Sequence, residues 1–369
     1  MNVPQMLRST PLAEVAISSD MIEQAMIIEL PCSIVTSNLA DTNEPFDRHM
    51  QDFVYAPRTA KVDAISLIGL PPGTTVFGGG HFLTAVNDKF IAEQYPPYIG
   101  TFVSTLAEIT DASRPVIEVS GEKLLVGRFG ITTWGHWLGE LLPKVILAER
   151  SFPGRFTYVL PVQAVDRLRP NSIWSSIAES LEACGMGSDR LFTTDDNFNY
   201  SFKTLFALTS LWSDHIMHPR ASESLRQSVS AIPPSSHKML AVLRDPQFGR
   251  TLVNADEVYT LLQSHGFVLQ TTGQLSFAEQ VGAFKGANAV FGVLGSDLTN
   301  LLFSPVGIDV VTVGPDIFGD RFFYALVLDR GGRMADLRGP VVDPQAVMHR
   351  STFAIDIQAL AAALRTMAL

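Results

Sequence analysis

The sequence contains few cysteines and few charged residues. Only two of the 369 residues are cysteine, Cys32 and Cys184, and their separation indicates neither a disulfide framework nor a metal-ligand spacing. Acidic residues (37) outnumber lysine and arginine (27), which gives a formal net charge of -10. A general nucleic-acid-binding protein needs a basic surface, because it must neutralise phosphates. The composition therefore argues against nucleic acid as a partner, and an anionic ligand must be bound by a few local cations.

Long apolar runs are also missing. No stretch approaches the roughly 18 consecutive apolar residues of a membrane-spanning helix. The best early run, residues 25–30, is interrupted by Glu29, and no basic segment followed by an apolar run indicates a signal peptide. We therefore expect a cytoplasmic protein without a membrane span. HExxH, GxSxG and Walker motifs are absent, which argues against a zinc protease, a serine hydrolase and a P-loop enzyme.

The length and the apolar content predict two α/β domains. A chain of 369 residues with 46% hydrophobic residues is longer than one hydrophobic core usually supports. Residues 1–110 have the pattern of short strands and turns, and from Lys123 onward strands alternate with helices. Two prolines and two serines within Ile232–Ser236 predict a linker. We assign residues 1–232, with the β-rich segment 1–110, to an N-terminal domain and residues 237–345 to a C-terminal domain.

The C-terminal domain has the pattern of a Rossmann-like fold. Strands are predicted at 238–243, 267–270, 289–293 and 308–313, and helices at 254–264, at 277–287 and after Gly295. This alternation is typical of a parallel sheet covered by helices. Within residues 346–369, Ile357, Leu360, Ala361 and Leu364 recur at helical spacing. We expect this last segment to form a helix that packs back on the protein.

The strongest candidate for an anion site lies at the turn after the predicted strand 289–293. Gly295 and Ser296 open a predicted helix there, and the N-terminus of a helix offers free N–H groups to a phosphate. Arg244 and Arg250 follow the first strand of the same domain, so they can reach the same edge of the sheet. The alternatives are that Gly295 only permits a turn that Ser296 caps, and that Arg244 pairs with Asp245 or another carboxylate.

A second candidate site lies at the start of the helix predicted from Trp134 to Arg150. His136 and Glu140 are four residues apart and share one face, so they can act as a base and its orienting group, or contact a sugar hydroxyl. Trp134 and Trp137 are candidates for stacking on an acceptor sugar. Alternatively, Glu140 pairs with Lys144 and Trp137 belongs to the core.

Taken together, these motifs resemble glycosyltransferase family 61. The resemblance rests on GHWLGELLP at 135–143, RDPQFGRTLVN at 244–254, SFAEQ at 276–280 and GSDLTNLLFSP at 295–305. It implies a GT-B-like architecture, in which two Rossmann-like domains face a cleft and the C-terminal one holds the nucleotide sugar. It also implies metal-independent, cofactor-free transfer of a hexosyl or pentosyl group with inversion to a glycan or glycoconjugate acceptor, which the N-terminal domain binds.

On this resemblance, the predicted site residues divide into three sets. The candidate bases are Glu140, His136 and Asp297, and the acceptor contacts are Trp134 and Trp137. The predicted donor-binding residues are Arg244, Arg250, Gly295, Ser296, Thr299 and Asn300. The chain departs from the family where Leu294 replaces a histidine, Asp297 a small residue and Thr312 a glutamate.

These departures motivate a second hypothesis, a GT-B-fold nucleotide- or glycan-binding protein without turnover. A third, a nicotinamide-dependent oxidoreductase, requires a glycine fingerprint that the sequence lacks. For a transferase, a role in surface polysaccharide biosynthesis follows as an expectation. The sequence does not identify the sugar, the linkage or the oligomeric state.

Overall fold

The computed structural model describes a mixed α/β protein. The described residues are 9–30, 34–37, 58–78, 83–86, 89–91, 111, 113–128, 130–168, 172–213, 215–318, 320–343 and 350–369. They form two compact units. The first unit comprises residues 1–26, 63–213 and 223–228, and the second unit comprises residues 27–62, 214–222 and 229–369. This division differs from a single boundary near Ile232, because an early segment of the chain belongs to the second unit.

The first unit contains two six-stranded sheets. One sheet has the order β1-β9-β8-β7-β14-β10, and the other has the order β13-β12-β11-β15-β6-β2. The strands of the first sheet are β1 (Ser9–Thr10), β7 (Thr74–Phe77), β8 (Leu83–Val86), β9 (Lys89–Ile91), β10 (Val116–Val119) and β14 (Asn199–Phe202). Those of the second are β2 (Ser18–Glu23), β6 (Ile65–Leu70), β11 (Lys123–Leu125), β12 (Thr157–Pro161), β13 (Leu191–Thr194) and β15 (Leu205–Leu208).

The two sheets of the first unit share one apolar core. Val76 and Phe202 from the first sheet and Leu70 and Val159 from the second belong to the same buried cluster. In the second sheet, β11, β12, β13 and β15 are parallel, whereas β6 is antiparallel to β15 and β2 to β6. The alternation of strands and helices after Lys123 therefore accounts for the parallel half of this sheet. The β-rich segment adds the antiparallel half.

The helix that carries the second candidate site is interrupted by a π-helical turn. It starts as α2 (Trp134–His136), widens over Trp137–Leu141 and continues as α3 (Leu142–Ser151). A π turn contains one more residue than an α turn and is frequent at functional sites. The apolar spacing alone predicted one continuous helix over this range.

The second unit contains a six-stranded parallel sheet with the order β20-β18-β21-β22-β23-β4. Its strands are β4 (Ile34–Ser37), β18 (Met239–Val242), β20 (Val268–Gln270), β21 (Ala289–Val293), β22 (Asp309–Pro315) and β23 (Arg333–Gly339). The strand predicted at 289–293 therefore has the predicted bounds. The edge strand β4 comes from the N-terminal part of the chain, a long-range pairing that local sequence patterns do not reveal.

Helices cover this sheet, and the last one completes its core. They are α7 (Ala255–Ser264), α8 (Phe277–Gly286), α9 (Phe322–Asp329), α10 (Ile357–Met367) and the 3-10 helix Ser296–Phe303. The Asp356 side chain caps α10 by accepting hydrogen bonds from the backbone N–H groups of Gln358 and Ala359. Leu360 and Leu364 are fully buried in one cluster with Phe291 of β21 and Val258 of α7. The apolar stripe of residues 357–367 is thus part of this core.

The predicted linker is packed against α8. The backbone N–H of Ser235 donates to Gly282 O at 2.8 Å, and a Cβ atom at Gly286 would collide with Ser235 O. Lys285 Nζ donates to the carbonyl oxygens of Val229, Ser230 and Ile232. The glycines of α8 therefore allow this segment to approach the helix closely. The segment is packed and hydrogen-bonded, whereas the sequence predicted a solvated linker.

The remaining elements are short. They are α1 (Leu12–Val15), β3 (Met26–Leu30), β5 (Arg58–Val62), α4 (Val162–Val165), α5 (Trp174–Ala183), β16 (Trp212–Ser213), β17 (Ile216–Met217), α6 (Pro219–Ser228), β19 (Thr251–Leu252), β24 (Thr352–Phe353) and the 3-10 helices Ser188–Arg190, Pro246–Phe248 and Thr272–Gln274. Within the described ranges, no helix combines the length and the apolar character needed to cross a lipid bilayer.

Candidate functional site

The anion site predicted in the second unit lies at the switch point of its parallel sheet. The chain runs from β18 to β20 on one side of β18 and then returns to β21 on the other side. In open parallel sheets, ligands bind outside the carboxyl ends of the strands where the order reverses in this way. The loop after β18 begins with Leu243 and Arg244, and the loop after β21 contains Leu294 and Gly295. The two predicted sequence motifs therefore meet at this point.

The loop after β18 is folded so that both arginines turn inward. Asp245 caps the 3-10 helix Pro246–Phe248 by accepting from the backbone N–H of Gln247 at 3.0 Å. Gly249 and Arg250 then both have positive φ, 70° and 55°. This conformation favours glycine and is uncommon for arginine. Beyond the turn, β19 pairs with β24 in parallel and fixes the far end of the loop.

Arg244 lies directly against the Gly295 turn. Its Nε donates to Gly249 O at 2.6 Å and its Nη2 to Phe248 O at 2.8 Å. A Cβ atom at Gly295 would overlap with Nη1 of Arg244 and would lie 3.5 Å from Nη2 of Arg250. Since φ of Gly295 is 178°, an extended conformation open to any residue, glycine is needed here for space. The two guanidinium groups therefore converge on this turn.

Arg250 is a buried cation. It is 8% exposed, and its Cζ lies 4.5 Å from the centroid of the Phe318 ring, in cation–π contact. Burial and the neighbouring charge of Arg244 lower the pKa of Arg250 to about 10, although Asp320 and Asp297 act in the opposite direction. The guanidinium therefore remains charged at neutral pH. An anion bound beside it would relieve both unfavourable contributions.

Asp297 provides a negative charge at the same place. Its Oδ2 lies 3.8 Å from Nη1 of Arg244, and its Oδ1 accepts a hydrogen bond from Thr272 Oγ1 at 2.6 Å. Arg244 thus pairs with Asp297, and Asp245 serves as a local cap. The carboxylate of Asp297 is therefore compensated by one of the two predicted arginines.

The other predicted donor residues differ in accessibility. Ser296 is half-buried at the first position of the 3-10 helix Ser296–Phe303, and Gly295 is the N-cap residue. Thr299 and Asn300 are fully buried. The Asn300 amide donates to Gln280 Oε1 at 3.1 Å and to Asp297 O at 2.9 Å, so Asn300 fixes the turn from its buried side. The structure therefore corrects the prediction for Thr299 and Asn300, whose side chains face the interior.

A buried polar network supports the aromatic ring under Arg250. Asp336, in the middle of β23, accepts hydrogen bonds from Thr312 Oγ1 at 2.7 Å, from Arg338 Nε at 2.8 Å and from the Tyr324 hydroxyl. Arg338 also donates through Nη1 to the carbonyl oxygen of Phe318. Thr312 is thus a partner of this carboxylate. The network holds the loop that carries the Phe318 ring.

In the first unit, the π turn brings three ionisable side chains together. His136 Nδ1 lies 2.6 Å from Glu140 Oε1, and Arg128 Nη1 donates to Glu140 Oε2. Burial raises the pKa of Glu140, but the hydrogen bond with His136 and the charges of Arg128 and His136 outweigh it and lower the pKa to about 2. Glu140 is therefore ionised at neutral pH and already has two partners.

This arrangement assigns different roles to His136 and Glu140. An ionised carboxylate accepts the hydrogen on Nδ1, so the lone pair of a neutral imidazole lies on Nε2. Nε2 has no partner among the described residues, and the side chain is 33% exposed. His136 can therefore accept a proton at Nε2, and Glu140 can orient the ring. Lys144, the alternative partner predicted for Glu140, donates to Leu208 O at 3.2 Å.

Two further residues adapt the backbone to this cluster. Gly130 has φ of 80°, and a Cβ atom there would lie 3.0 Å from Cδ2 of His136, so the turn before the helix requires glycine. Trp212 Nε1 donates to Gly139 O at 2.9 Å. Gly139 lies in the π turn, where widening of the helix disturbs the regular backbone hydrogen bonds. The indole thus satisfies a carbonyl group of the helix.

The two tryptophans predicted to bind the acceptor have different environments. Trp137 is fully buried, and its Nε1 donates to Ser180 Oγ at 2.8 Å. Together with the buried Leu141 and Val145 it belongs to the core, so the prediction that Trp137 contacts an acceptor is corrected. Trp134 is half-buried at the first position of α2, two residues before His136. It remains a candidate for acceptor binding.

The sequence-based prediction missed Arg128, Phe318 and Asp336. Arg128 follows a parallel strand closely, the same signal that identified Arg244, and could have been found in this way. Asp336 lies in the buried strand Arg333–Gly339, where a carboxylate requires partners. No local pattern indicates that the ring of Phe318 contacts Arg250.

The comparison with protein families agrees with these motifs. The family model described as Glycosyltransferase 61 matches residues 134–311. This range includes His136 and Glu140 of the first unit and Arg244, Arg250 and Gly295 of the second. None of the curated proteins compared with the chain matches it. The family match over residues 134–311 supports a glycosyltransferase of glycosyltransferase family 61.

Proposed function

We propose that the protein transfers a hexosyl or pentosyl group from a nucleotide sugar to a glycan or glycoconjugate acceptor, with inversion at the sugar carbon. The proposal includes a GT-B architecture, with the donor bound by the second unit and the acceptor by the first. Its main support is the convergence of Arg244 and Arg250 on the Gly295 turn at the switch point of a parallel sheet. A cytosolic reaction in surface polysaccharide biosynthesis is part of the same proposal.

In the proposed reaction, Arg244 and Arg250 bind the diphosphate of the donor. As the bond between the sugar carbon and the diphosphate oxygen breaks, negative charge develops on the leaving group. Two preorganised guanidinium groups and the N–H groups at the start of Ser296–Phe303 stabilise this charge. The low exposure of Arg250 strengthens the interaction, because less water screens it. We therefore propose a reaction that needs no metal ion.

His136 is the proposed base. The acceptor hydroxyl attacks the sugar carbon from the side opposite the diphosphate, and its proton passes to Nε2 of His136. Glu140 then faces an imidazolium ring, whose charge it stabilises through the 2.6 Å contact with Nδ1. Glu140 itself is a weaker candidate for the base, because its low pKa leaves little affinity for a proton. Asp297 is also a weaker candidate, because it has Thr272 and Arg244 as partners.

The donor assignment is tested with the full chain and Arg250→Ala. We first compare the melting temperature with UDP, GDP, dTDP and CMP, because a ligand at 100 times its Kd stabilises a protein by about 2.7 kcal/mol. The nucleotide that binds is then titrated by calorimetry. Loss of one charged hydrogen bond should weaken binding by about 1.5 to 3 kcal/mol. Unchanged affinity in Arg250→Ala would reject the donor site.

Turnover and metal dependence are tested in the same preparation. Release of nucleotide from the matching nucleotide sugar is measured with a panel of acceptors, with and without EDTA. We expect transfer that persists in EDTA, and a product with the anomeric configuration opposite to that of the donor. Complete loss of transfer in EDTA, restored by a divalent cation, would contradict the metal-independent part of the proposal.

One observation favours a second function, nucleotide or glycan binding without turnover. Asp297 lies 3.8 Å from Arg244, so its carboxylate competes with a phosphate for this cation. If the protein only binds, nucleotides raise its melting temperature but no acceptor and no Asp297→Ala variant yields transfer. Transfer by the wild-type protein with any acceptor rejects this alternative.

A further inference from the structure

A pocket of about 370 Å³ adjoins the arginine pair in the second unit. It lies between the loop after β18, the start of α7 and the chain after β20. Arg244 and Arg250 are among its lining residues, and the rest of the lining is largely apolar. The volume is within the range of small-molecule sites. None of the site residues predicted from the sequence other than the two arginines lines this pocket.

The lining of the pocket combines charged, polar and apolar residues. Apart from the arginines and Asp245, its lining residues are uncharged. Asp245 has Gln247 as its hydrogen-bond partner. The apolar wall consists of Leu243, Leu252, Ala255, Val293 and the half-buried ring of Tyr259. Thr271 and Gln274 add a hydroxyl group and a side-chain amide.

We infer that this pocket binds the nucleoside part of the donor, with the base against Tyr259 and the phosphates at Arg244 and Arg250. The inference rests on the proposed function and extends it to a base-binding site. A nucleoside phosphate matches this lining in composition, because it combines an anionic group with a flat, weakly polar base. Every base presents a π-face that an aromatic ring can stack on, and such stacking contributes about 1 to 3 kcal/mol per base. Thr271 and Gln274 supply hydrogen-bonding groups for the edge of the base.

The test separates the base from the phosphates. The full chain is titrated by calorimetry with inorganic pyrophosphate and with UDP, GDP, dTDP and CMP. At least one nucleotide should bind ten times more tightly than pyrophosphate, because it adds contacts in the pocket. If none of the four binds more tightly than pyrophosphate, the inference is wrong.

Two variants change the pocket in opposite ways. Tyr259→Ala removes the stacking surface, and Ala255→Phe fills the space beside it. Each should weaken binding of the best nucleotide about tenfold or more and leave pyrophosphate affinity unchanged. Tyr259→Phe keeps the ring and should bind within threefold of the wild type. Phe248→Ala is a matched control, since Phe248 is an exposed aromatic residue of the same loop that does not line the pocket.

The possible failures are distinguishable. Unchanged nucleotide affinity in both Tyr259→Ala and Ala255→Phe, with Arg250→Ala still defective, overturns the base-binding pocket and leaves the proposed donor site intact. Unchanged affinity in Arg250→Ala instead rejects the donor site. Equal loss of pyrophosphate and nucleotide binding in Tyr259→Ala, with an unchanged melting temperature, also overturns the inference, because the ring would then act through the arginines.

Discussion

The guanidinium group of Arg244 lies against the Cα of Gly295, so closely that a methyl group at position 295 would overlap with Nη1. The two residues are separated by 51 positions in the chain but follow neighbouring strands of one parallel sheet. Gly295 therefore creates the space in which a cation meets the start of a helix. Replacing Gly295 therefore tests this contact while Arg244 itself is unchanged.

Gly295→Ala should weaken nucleotide binding without unfolding the protein. The added methyl group displaces Arg244 from the turn, whereas the extended φ of Gly295 is accessible to alanine. We expect a loss of affinity of about tenfold or more, by analogy with the loss of a charged hydrogen bond. Gly273→Ala is the matched control, because no atom lies within 4 Å of a Cβ there. Equal affinities in the two variants would contradict this prediction.

His136→Ala should lower kcat by about 10² to 10⁴, the usual contribution of general base catalysis, and leave nucleotide affinity unchanged. Glu140→Gln should lower kcat less, because the carboxylate acts only through the imidazole. Residues that act as one unit are non-additive, so the double variant should lose little more than His136→Ala. Additive losses in kcat would indicate separate roles for the two side chains.

Glu140 should contribute a pH-dependent part of the stability. Its pKa is lowered from 4.5 to about 2 in the folded protein, so its contribution is complete above the unfolded pKa and is lost as the pH falls toward 2. The shift corresponds to at most about 3 kcal/mol at neutral pH, and to roughly half of that at pH 3. Urea unfolding of the wild type and Glu140→Gln measures it. Their difference in unfolding free energy should shrink from pH 7 to pH 3, and a constant difference would refute the assignment.

Trp134 and Trp137 should respond differently to truncation. Trp137→Ala removes a fully buried side chain and should lower the free energy of unfolding by about 3 to 5 kcal/mol. Trp134→Ala should have a smaller effect on stability and should raise the acceptor KM several-fold if the ring stacks on a sugar. Denaturant unfolding and acceptor kinetics separate the two effects. A normal acceptor KM in Trp134→Ala would remove this residue from the acceptor site.

Phe318→Leu should raise the Kd for the nucleotide. The substitution removes the ring beneath Arg250, whose cation–π contact contributes about 0.5 to 2 kcal/mol, equivalent to between twofold and thirtyfold in Kd. Phe322→Leu provides the control. Phe322 lies four positions after Phe318 in the chain, and its ring packs edge-on against Phe323. Calorimetric titration of both variants with the nucleotide measures the two Kd values. A Phe318→Leu protein with wild-type affinity would exclude a role for the ring.

The strand before the glycine turn and the proximity of Arg244 to Gly295 could be predicted from local rules. Ala289–Val293 is a short apolar run before a glycine, and parallel strands in one sheet end at a common edge, so the proximity of Arg244 to Gly295 followed from chain order. Thr299 and Asn300 were predicted as ligands because they are polar and follow the glycine. Their burial depends on the face that the 3-10 helix turns inward, which the spacing of polar residues does not determine.

Other features depend on distant parts of the chain. β4 pairs with β23 across about 300 residues, and no motif in Ile34–Ser37 specifies that partner. The roles of Glu140 and His136 likewise became distinct only with Arg128 in place, since Arg128 and His136 together lower the pKa of the carboxyl. A sequence pattern identifies the ionisable pair, whereas the lowered pKa of Glu140 depends on neighbours such as Arg128 that only the three-dimensional structure reveals.

The π turn at Trp137–Leu141 also constrains how this helix tolerates changes in length. Residues of an α-helix are rotated by roughly 100° from one to the next, so one residue more or fewer turns everything beyond it by that angle. Deleting one residue within the turn would yield a regular helix that is more favourable locally. The deletion would also rotate His136 by roughly 100° about the helix axis relative to the residues of α3, so the π turn sets the orientation of His136 relative to α3.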